Sequence, residues 1–465
     1  MAKQITQQTF DDVVRENMTE FDMEVQEAID DAVQQFESQG VNLALIVKDA
    51  SLYTEGNSEH PLITSIKNLN LLSQKEISEK GEIIEFLHKI RTECDIDLSR
   101  RCLAGNNEGY RTLIKLLEKY KSDFDLIKEI LLTLVSLTNG QPDIMDMIGV
   151  SLCMEILKSY EDQTDVLELT FNFIRNTCVK HESNKQDFVN QDLISEASML
   201  LNKHKHCVNI IKEICSTLRV LTYDDDLRVP FGKAHDRAKM IVTEGNALKT
   251  ILDICKEFPD KPAVLCELFS TIGKLVVRDE FCKAVMDMGG LEFIFKAFQE
   301  SIDDKGIVRQ ALDVIQRLSG NDQVKVAVVK AGGIELILLA MTKHQANSQV
   351  SELGCAAITT IILRNPDHCT KVMQNGGHQA IVQAMKIHKN EENVQKQACM
   401  ALRNLVARTR DYCEPILELG AETLINDALK KYKSCHDEAK AALRDLGCHV
   451  ELRELWKGET AGITE

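Results

Sequence analysis

The stretch that decides the fold is a series of near-copies, MGGLEFIFKAFQES (288–301), AGGIELILLAMTKH (331–344) and NGGHQAIVQAMKIH (375–388). Similar segments lie on either side, EGNALKTILDICKEF (244–258) and LGAETLINDALKKY (419–432). Together they place a glycine at steps of 44, 43, 44 and 44 residues, at Gly245, Gly289, Gly332, Gly376 and Gly420. A fixed period of this length is the signature of a helical solenoid, in which one small structural unit is stacked repeatedly.

Three further copies lie upstream. EGYRTLIKLLEKY (108–120) and IGVSLCMEILKSY (148–160) contain Gly109 and Gly149, and QDLISEASMLLNKH (191–204) has Asp192 in the glycine position. The step from Asp192 to Gly245 is 53 residues, so the segment LTYDDDLRVPFGKAH (221–235) contains an insertion. We expect each glycine at a sharp turn between helices, where a positive φ favours this residue.

Within one copy the apolar residues are three and four positions apart, as in Ala398, Ala401, Leu402 and Leu405. This spacing predicts helices with one buried face. Aromatic residues make up 5% of the chain and only 7 of 465 residues are proline, which suits packed helices better than strands. The sequence therefore predicts an all-α protein with three helices per copy.

The segment ACMALRNLVART (398–409), and more loosely FNFIRNTCV (171–179) and KAALRDLGC (440–448), resembles the third helix of the armadillo repeat. Together with the N-terminal block TFDDVVREN (9–17), the chain is similar to one of the numbered armadillo-repeat-containing families of animals. The resemblance covers roughly residues 82–450. It implies a right-handed α-solenoid of about eight armadillo repeats whose third helices line a concave groove, and it is specific for fold rather than for activity.

The first 60 residues contain 13 acidic and 3 basic side chains, so they hold −10 of the total formal charge of −17. Phe10, Val14, Ile29 and Phe36 follow a helical period, which predicts an amphipathic helix ending near Gly40 within an acidic helical region, residues 1–50. Its apolar stripe either packs on the first repeat as a cap or docks another protein. We expect a linker at 51–81, the solenoid at 82–457 and a disordered tail at 458–465.

The net charge argues against binding to nucleic acid or to an anionic membrane, and no uncharged run is long enough to span a bilayer. The 15 cysteines are scattered, with none closer than eight positions to another, which favours buried free thiols in a reducing compartment. This predicts a cytoplasmic protein, present also in the nucleus, without a metal or other cofactor. His204 and His206 lack further ligands and are interpreted as solvated loop residues.

No motif for nucleophilic, metal-dependent or nucleotide-dependent catalysis occurs in the chain. The sequence therefore predicts a non-enzymatic scaffold or adaptor that binds other proteins along its groove. A chaperone-type adaptor and a nuclear-transport-like receptor are the alternatives. The hypothesis of a nuclear-transport-like receptor is less well supported, because no tryptophan recurs at the groove positions of the copies. The sole tryptophan, Trp456, follows the last copy.

Alignment of the copies on their glycines identifies candidate peptide-binding residues on the third helices. They are Arg175, Asn176, Arg219, Lys274, Arg317, Arg403, Asn404 and Arg444. Asparagine clamps an extended backbone with a donor and an acceptor, and arginine suits acidic or phosphorylated segments. Two alternatives stay open: the arginines bridge to acidic residues of neighbouring repeats, or the acidic N-terminal helix occupies the groove from within the same chain.

His235 lies in the insertion, where the family resemblance implies a histidine that is N-methylated within a His-x-His context. Here Arg237 stands in place of the second histidine, and the neighbouring Asp236 is not a small residue. The alternative is an exposed histidine in a loop, since long surface loops tolerate variation.

Overall fold

A computed structural model describes residues 3–53, 60–75 and 79–450. Helices dominate these ranges, which contain no strand; the one extended pairing in them is an isolated bridge between Lys3 and Val41. None of the helices there combines the length and apolar character needed to cross a bilayer. The predicted all-α class is confirmed.

The acidic N-terminal region folds as two helices, α1 (Gln7–Glu20) and α2 (Val25–Ser38), instead of the single predicted helix. The chain reverses between them, where Asp22 has a φ of 52°. The ring of Phe10 packs against that of Phe36 with centroids 6.0 Å apart, and Val14 and Ile29 are also buried. The prediction of one helix to Gly40 is therefore wrong, because the apolar stripe folds back on itself and covers its own surface.

The predicted linker contains a packed helix. α3 (Pro61–Gln74) begins with a proline at a position where the missing N–H is not needed, and it buries Leu62, Ile66 and Leu69. It packs against α4 (Lys80–Ile96), so these helices form an additional pair before the eight predicted copies. The linker prediction is wrong for this stretch, since its apolar residues are spaced at helical intervals; residues 54–59 and 76–78 lie outside the described ranges.

The chain forms two compact units, residues 1–247 and 248–465. In the first unit α4 is followed by α5 (Leu98–Asn106), α6 (Gly109–Lys119), α7 (Phe124–Thr138), α8 (Met147–Ser159), α9 (Thr164–Cys178), α10 (Glu182–Asn190), α11 (Leu193–Lys203), α12 (Val208–Leu221) and α13 (Ala234–Thr243). A 3-10 turn at Pro142–Ile144 takes the place of a short first helix before α8. The long helices α4, α7, α9 and α12 stack in that order.

The second unit continues the pattern from its boundary. Its helices are α14 (Ala247–Glu257), α15 (Pro262–Leu275), α16 (Asp279–Asp287), α17 (Gly290–Glu300), α18 (Lys305–Leu318), α19 (Asp322–Lys330), α20 (Gly333–Lys343), α21 (Ser348–Ile362), α22 (Pro366–Gln374), α23 (Gly377–Ile387), α24 (Glu392–Val406), α25 (Cys413–Glu418), α26 (Ala421–Lys431) and α27 (His436–Leu446). The third helices α15, α18, α21, α24 and α27 stack consecutively. Trp456 and the predicted tail at 458–465 lie outside the described residues.

The periodic glycines lie at the turn between the first and second helix of each repeat. Gly289, Gly332, Gly376 and Gly420 have φ values of 74° to 81°, in the left-handed region. Gly245 lies in the corresponding turn, but there the next residue, Asn246, has the positive φ of 51°. The predicted placement of all five glycines is confirmed.

Gly109 and Gly149 do not occupy such turn positions, so this part of the register is wrong. Gly109 is the first residue of α6, and the left-handed residue before it is Glu108, with a φ of 63°. Gly149 lies inside α8, where a Cβ atom would come within 2.2 Å of the hydroxyl of Tyr110. These two glycines are needed for close packing, because the backbone carbonyl of Ala104 at Gly109 and the side chains of Tyr110 and Met145 at Gly149 leave no room for a Cβ atom.

One set of cross-repeat hydrogen bonds was not predicted. The residue that ends the second helix reaches back to a backbone carbonyl of the preceding repeat, as in His204 to Glu161 (2.6 Å), His344 to Ile302 (2.7 Å) and His388 to Gln345 (2.8 Å). Tyr160 and Tyr432 make the same contact. The interpretation of His204 as a solvated loop residue is therefore wrong. In the sequence, the shared His or Tyr at the end of the copies (NKH, TKH, KIH, KSY and KKY) is the pattern that corresponds to these hydrogen bonds.

Candidate functional site

The two predicted groove asparagines bind the neighbouring repeat. Asn176 on α9 donates from Nδ2 to the carbonyl oxygen of Val135 on α7, at 3.0 Å. Asn404 on α24 donates in the same way to Thr359 on α21, at 3.2 Å. One of the two Nδ2 hydrogens of each asparagine is thus used in a contact between third helices. The second Nδ2 hydrogen and the side-chain oxygen are left to donate to and accept from a ligand.

Arg175 connects adjacent repeats of the first unit. Its Nη1 lies 2.5 Å from Oε2 of Glu213 on α12, and the two side chains are only 23% and 24% exposed. This matches the alternative in which an arginine bridges to an acidic residue of the next repeat. Arg219 on α12 and Lys274 on α15 are half-buried, and each has an interaction of its own.

Arg317 on α18 pairs within its own helix. Its Nε lies 2.9 Å from Oδ2 of Asp313, one turn earlier, and the arginine side chain is 38% exposed. The intrahelical carboxylate orients the guanidinium, which has five N–H donors in total. Arg317 therefore contributes a partly exposed positive charge to the third-helix face of the second unit.

The strongest concentration of predicted site residues surrounds Asp445 on α27. Arg403 Nε on α24 lies 3.3 Å from Asp445 Oδ2, and Arg444 Nε lies 3.0 Å from Asp445 Oδ1. Arg410, in the 3-10 turn after α24, donates from Nη1 to the backbone carbonyl of Asp445. We call Arg403, Arg410 and Arg444 the arginine cluster. It places two guanidinium groups on the carboxylate of Asp445 and a third on its backbone carbonyl.

The arginine cluster has an excess of positive charge and of hydrogen-bond donors. Asp445 is 15% exposed, whereas the Arg403 and Arg444 side chains are 45% and 60% exposed. In the contacts described, each of these two arginines uses only its Nε for the shared carboxylate, although a guanidinium offers five N–H donors. The arrangement is chemically suited to bind a second carboxylate or a phosphate.

Arg410 was missed by the sequence alignment because it lies outside the third helix. The signal was present in the basic sequence ARTR (407–410), which directly follows the ALRNLV pattern of α24. A search limited to positions on the third helices does not include the connection that follows them. The hydrogen bond from Arg410 to the backbone of Asp445 places this connection beside the third helix of the next repeat, α27.

The insertion between α12 and α13 is anchored by a buried ion pair. Arg237, 1% exposed, donates from Nη1 and Nη2 to the two carboxylate oxygens of Glu182 at 2.8 and 2.7 Å. Its Nε donates to the carbonyl oxygen of Leu221 at 2.6 Å. Burial raises the pKa of Glu182, but the hydrogen bonds from Arg237 and from the Lys233 N–H outweigh this, and its pKa is below the ordinary value.

The acidic run Asp224–Asp226 holds the same insertion on the start of α10. Asp225 binds the buried ammonium group of Lys185, and Asp226 Oδ2 accepts the backbone N–H of Glu182 at 3.0 Å. The hydrogen bond from Arg228 places the pKa of Asp226 well below its usual range. The loop is therefore fixed in place by charged contacts.

His235 is exposed at the second residue of α13, two positions before the buried Arg237. The structure thus places it at a helix start, whereas the sequence suggested a loop. The residue that replaces the second histidine of the family pattern, Arg237, is engaged in the anchor of the insertion. Methylation of His235 stays a prediction.

The cysteines are dispersed through the helices as free thiols. Burial raises the pKa of Cys355 and that of Cys178 to about 12 each, so both remain protonated at neutral pH. A thiol needs to ionise to act as a nucleophile or as a metal ligand. These two side chains therefore act as small apolar residues of the repeat core.

Comparison with known proteins places the whole chain in one family. Residues 62–464 match the ARMC6 family model, and residues 2–63 match the model of the armadillo repeat-containing protein 6 N-terminal domain. The chain is 44% identical to armadillo repeat-containing protein 6 of Homo sapiens over 473 residues, which covers 100% of this chain and 94% of the human one. It is 42% identical to the Drosophila melanogaster homolog, covering 98% of each.

Solved structures support the fold. An engineered protein superposes with a TM-score of 0.58 at 17% identity, covering 82% of this chain and 99% of the other. A β-catenin structure, described in connection with a phosphorylation switch that controls its interaction with cadherin, gives a TM-score of 0.55 at 16% identity, covering 82% of this chain and 68% of the other. Family models covering both the N-terminal region and the repeats, and relatives at over 40% identity, agree with this architecture: the chain belongs to the armadillo repeat-containing protein 6 family.

Proposed function

We propose that this chain is a non-enzymatic adaptor that binds extended acidic protein segments on the third-helix face of its second unit, with the arginine cluster as the main contact. Armadillo-repeat proteins are typically protein-binding scaffolds. Stacked repeats present an extended surface on which several weak contacts act together. The proposal adds to this general role a chemical preference and a location.

The arrangement around Asp445 is the observation that carries the proposal. One carboxylate is shared by Arg403 and Arg444, and both arginines are about half exposed. An arginine that only connects two repeats is expected to have its own acidic partner and a largely buried side chain. Arg175, which pairs with Glu213, has both features. Because a desolvated charge-assisted hydrogen bond contributes on the order of 1–3 kcal/mol, two such arginines are sufficient to select an acidic ligand.

Positive charge continues along the same unit. Arg317 on α18 and Lys274 on α15 occupy the aligned third-helix position, and Arg317 is 38% exposed. The side-chain oxygen of Asn404, whose nitrogen binds Thr359, is an acceptor for a backbone N–H of the bound segment. We propose that an extended segment with several acidic side chains lies across these positions. Electrostatic attraction then sets its specificity and its rate of association.

A phosphorylated segment fits the same chemistry. Phosphate has more acceptor oxygens and more negative charge than a carboxylate, and the planar fork of arginine matches both groups. The β-catenin structure with a similar fold is described in terms of an interaction with cadherin that phosphorylation controls. By analogy, we propose phosphoserine-containing segments as a second ligand class for this chain.

Defined peptides test the proposal. Fluorescence anisotropy is measured with the full chain and three labelled peptides, one rich in Asp and Glu, one with phosphoserine and one rich in Lys. We expect the first two to bind, and the double variant Arg403→Gln with Arg444→Gln to lose at least about tenfold in affinity, equivalent to about 1.4 kcal/mol. Melting temperature is measured in parallel for every variant.

Arg175→Gln provides the matched control because it removes an arginine that is paired with Glu213. This variant is expected to lower the melting temperature and to leave peptide binding unchanged. If instead the Arg403 and Arg444 variant binds normally but melts earlier, those arginines are inter-repeat struts, and the proposed binding face is wrong.

Affinity purification with and without residues 1–60 separates the adaptor from the alternative classes. Stable partners in fixed ratio support an adaptor, a broad set of unfolded clients supports a chaperone-type adaptor, and cargo released by transport factors supports a nuclear-transport-like receptor. We also propose the cytoplasm, and additionally the nucleus, as its place of action. The free thiols support a reducing compartment.

A further inference from the structure

A crevice lies between the N-terminal region and α5 in the first unit. Its volume is about 600 Å³, within the range of about 300–1,000 Å³ typical of ligand sites. One wall consists of residues 4–8, at the start of α1, and of the connection after α2. The other wall consists of α5, the residue that follows it and the turn after α7. We call this site the amide crevice, for the side chains described next.

Side-chain amides dominate the crevice. Every described residue that lines it is uncharged, although 27% of the whole chain is charged, and seven of these 13 residues are Asn or Gln. On the N-terminal wall the amides belong to Gln4, Gln7, Gln8 and Asn42. Charged groups, Asp11 and Arg15, occur in a smaller adjoining cavity of about 280 Å³. Hydrogen bonding, rather than charge, therefore selects the ligand of the amide crevice.

The opposite wall supplies three further amides, those of Asn106, Asn107 and Gln141. Asn107 and Gln141 each donate from the side-chain nitrogen to a backbone oxygen of the preceding helix, at 2.8 and 2.9 Å. These bonds fix both side chains and leave their oxygens as acceptors. Gln8 and Asn106 are exposed, and neither side chain has a hydrogen-bond partner among the described residues. The crevice thus offers both donors and acceptors to a ligand.

The two walls are held together by Arg100 of α5. Its Nη2 lies 2.5 Å from Oδ2 of Asp49, in the connection after α2, and its Nε lies 3.0 Å from Oε2 of Glu93 on α4. Within the N-terminal wall, Gln7 exchanges two hydrogen bonds with the backbone of Val47, at 2.9 and 2.8 Å. The crevice is therefore preformed, so a ligand does not have to order its walls.

A polypeptide backbone is the ligand that fits this chemistry. A side-chain amide has a donor and an acceptor that match the N–H and C=O of an extended chain, and Gln7 makes this double contact with Val47 within the protein itself. The described lining residues include no aromatic ring, so a nucleic-acid base has no stacking surface there. Leu45, which is 39% exposed, and the buried Leu103 provide apolar contacts for a small side chain.

We propose that the amide crevice binds an extended, uncharged segment of another protein through the backbone of that segment. This site is separate from the proposed acidic-segment site, because it lies in the first unit and contains no charged group among its described lining residues. The chain then has two binding sites of different chemistry, one in each unit.

Backbone methylation tests the proposal. Fluorescence anisotropy is measured with the full chain and a labelled peptide of Val, Ser and Thr with blocked ends, and with the same peptide methylated on every second backbone nitrogen. Methylation removes N–H donors and keeps the side chains. We expect saturable binding of the first peptide and at least about tenfold weaker binding of the second. Because backbone recognition tolerates different side chains, no saturable binding of the first peptide, or equal binding of both, would overturn the proposal.

Cys102 locates the bound peptide because it lines the amide crevice. Alkylation by iodoacetamide is followed at each cysteine by mass spectrometry, and we expect it to slow several-fold at Cys102 when the peptide is bound. Cys207, a half-buried cysteine directly before α12 and outside the crevice, is the internal control and should react at an unchanged rate. Unchanged alkylation of Cys102 at saturating peptide would mean that the peptide binds elsewhere.

A double variant, Gln8→Glu with Asn106→Asp, changes two crevice amides into carboxylates, which lose their N–H donors and repel backbone carbonyls. We expect it to bind the unmethylated peptide at least about tenfold more weakly. The matched control is Asn202→Asp with Gln299→Glu, which makes the same change at exposed residues of α11 and α17. The control should bind normally, and an equal loss in both double variants would contradict the crevice assignment.

Two further variants keep the test decisive. Arg403→Gln with Arg444→Gln should bind the uncharged peptide normally, so a failure of the amide crevice is distinguished from a failure of the arginine cluster. If the crevice double variant does not fold, as judged by its circular dichroism, Leu45→Ser removes a partly exposed apolar contact and provides the same comparison. Normal binding and normal protection of Cys102 in that variant would overturn the proposal.

Discussion

Arg237 binds Glu182 through two parallel hydrogen bonds of 2.8 and 2.7 Å, across 55 positions of the chain. The pair joins the first turn of α13 to the start of α10. It therefore holds the insertion between α12 and α13 against α10. The backbone also passes close to this anchor at Gly232, where a Cβ atom would come within 2.2 Å of Asp224 Oδ1. On this fixed loop, Leu227 and Phe231 are almost completely exposed.

We predict that Arg237→Met lowers the free energy of unfolding by about 3 kcal/mol, since it leaves the Glu182 carboxylate, whose side chain is only 13% exposed, without its guanidinium partner. Chemical denaturation of the full chain measures the change. The matched control is Arg111→Met, which breaks an exposed surface pair with Glu108 and is expected to cost under about 1 kcal/mol. Equal effects of the two substitutions would contradict the anchoring role of Arg237.

The pH dependence of the insertion follows from the lowered pKa of Glu182. A carboxylate with a lowered pKa in the folded state stabilises it above the unfolded-state pKa, about 4.3 for glutamate, and this contribution is lost as the pH falls through the folded-state value. We therefore predict that limited proteolysis of residues 222–233 stays constant from neutral pH to about pH 5 and rises only at more acidic pH. The Glu182→Gln variant should not show this acid-dependent rise. At neutral pH the protease should cleave this variant faster than the wild type.

The repeats were predictable because their signals are local and recurrent. The 43- and 44-residue steps identify the turns at Gly289 and Gly332, where a positive φ selects glycine. The register failed at Gly149 because packing against Tyr110 also selects glycine, and a sequence does not distinguish the two causes. Similarly, the helical period of α1 and α2 was visible, but the reversal at Asp22 depends on contacts such as Phe10 with Phe36.

The candidate site was predictable in part. Alignment found Arg403 and Arg444, but it did not indicate that they share one carboxylate, that of Asp445. The nitrogen of Asn404 is used by the neighbouring repeat, and a sequence does not indicate which partner an amide chooses. The partners of the ion pairs between stacked third helices, Arg175 with Glu213 and Arg403 with Asp445, lie 38 and 42 positions apart in the chain, so these pairs become visible only when the repeats are stacked.

Two adjacent glycines are expected to respond differently to substitution. Gly332→Ala should cost about 1 kcal/mol, because alanine is strained at a φ of 80°. Gly333→Ala should cost more, since its Cβ atom would lie 2.7 Å from the carbonyl oxygen of Val328 and has no room to shift. The control is Gly81→Ala in α4, where nothing lies within 4 Å and alanine should stabilise by about 0.5–1 kcal/mol. Thermal unfolding ranks the three variants, and a different order would contradict the two separate roles.

Glu196 on α11 is expected to reduce stability at neutral pH. Its Oε1 atom is buried without a hydrogen-bond partner, and burial raises the pKa of the carboxyl group. We predict that Glu196→Gln stabilises the chain by up to about 1 kcal/mol at pH 7, because a neutral amide is easier to bury than a carboxylate. Because the pKa of Glu196 is raised in the folded state, this carboxyl group takes up its proton in the folded chain at a higher pH than in the unfolded chain. The advantage of the glutamine variant should therefore shrink as the pH falls.

Glu335→Gln, which changes an exposed glutamate of α20, is the control for Glu196→Gln and should have no effect at either pH. An advantage of Glu196→Gln that stays constant from pH 7 to pH 4.5 would show that the charge of Glu196 is not its cause.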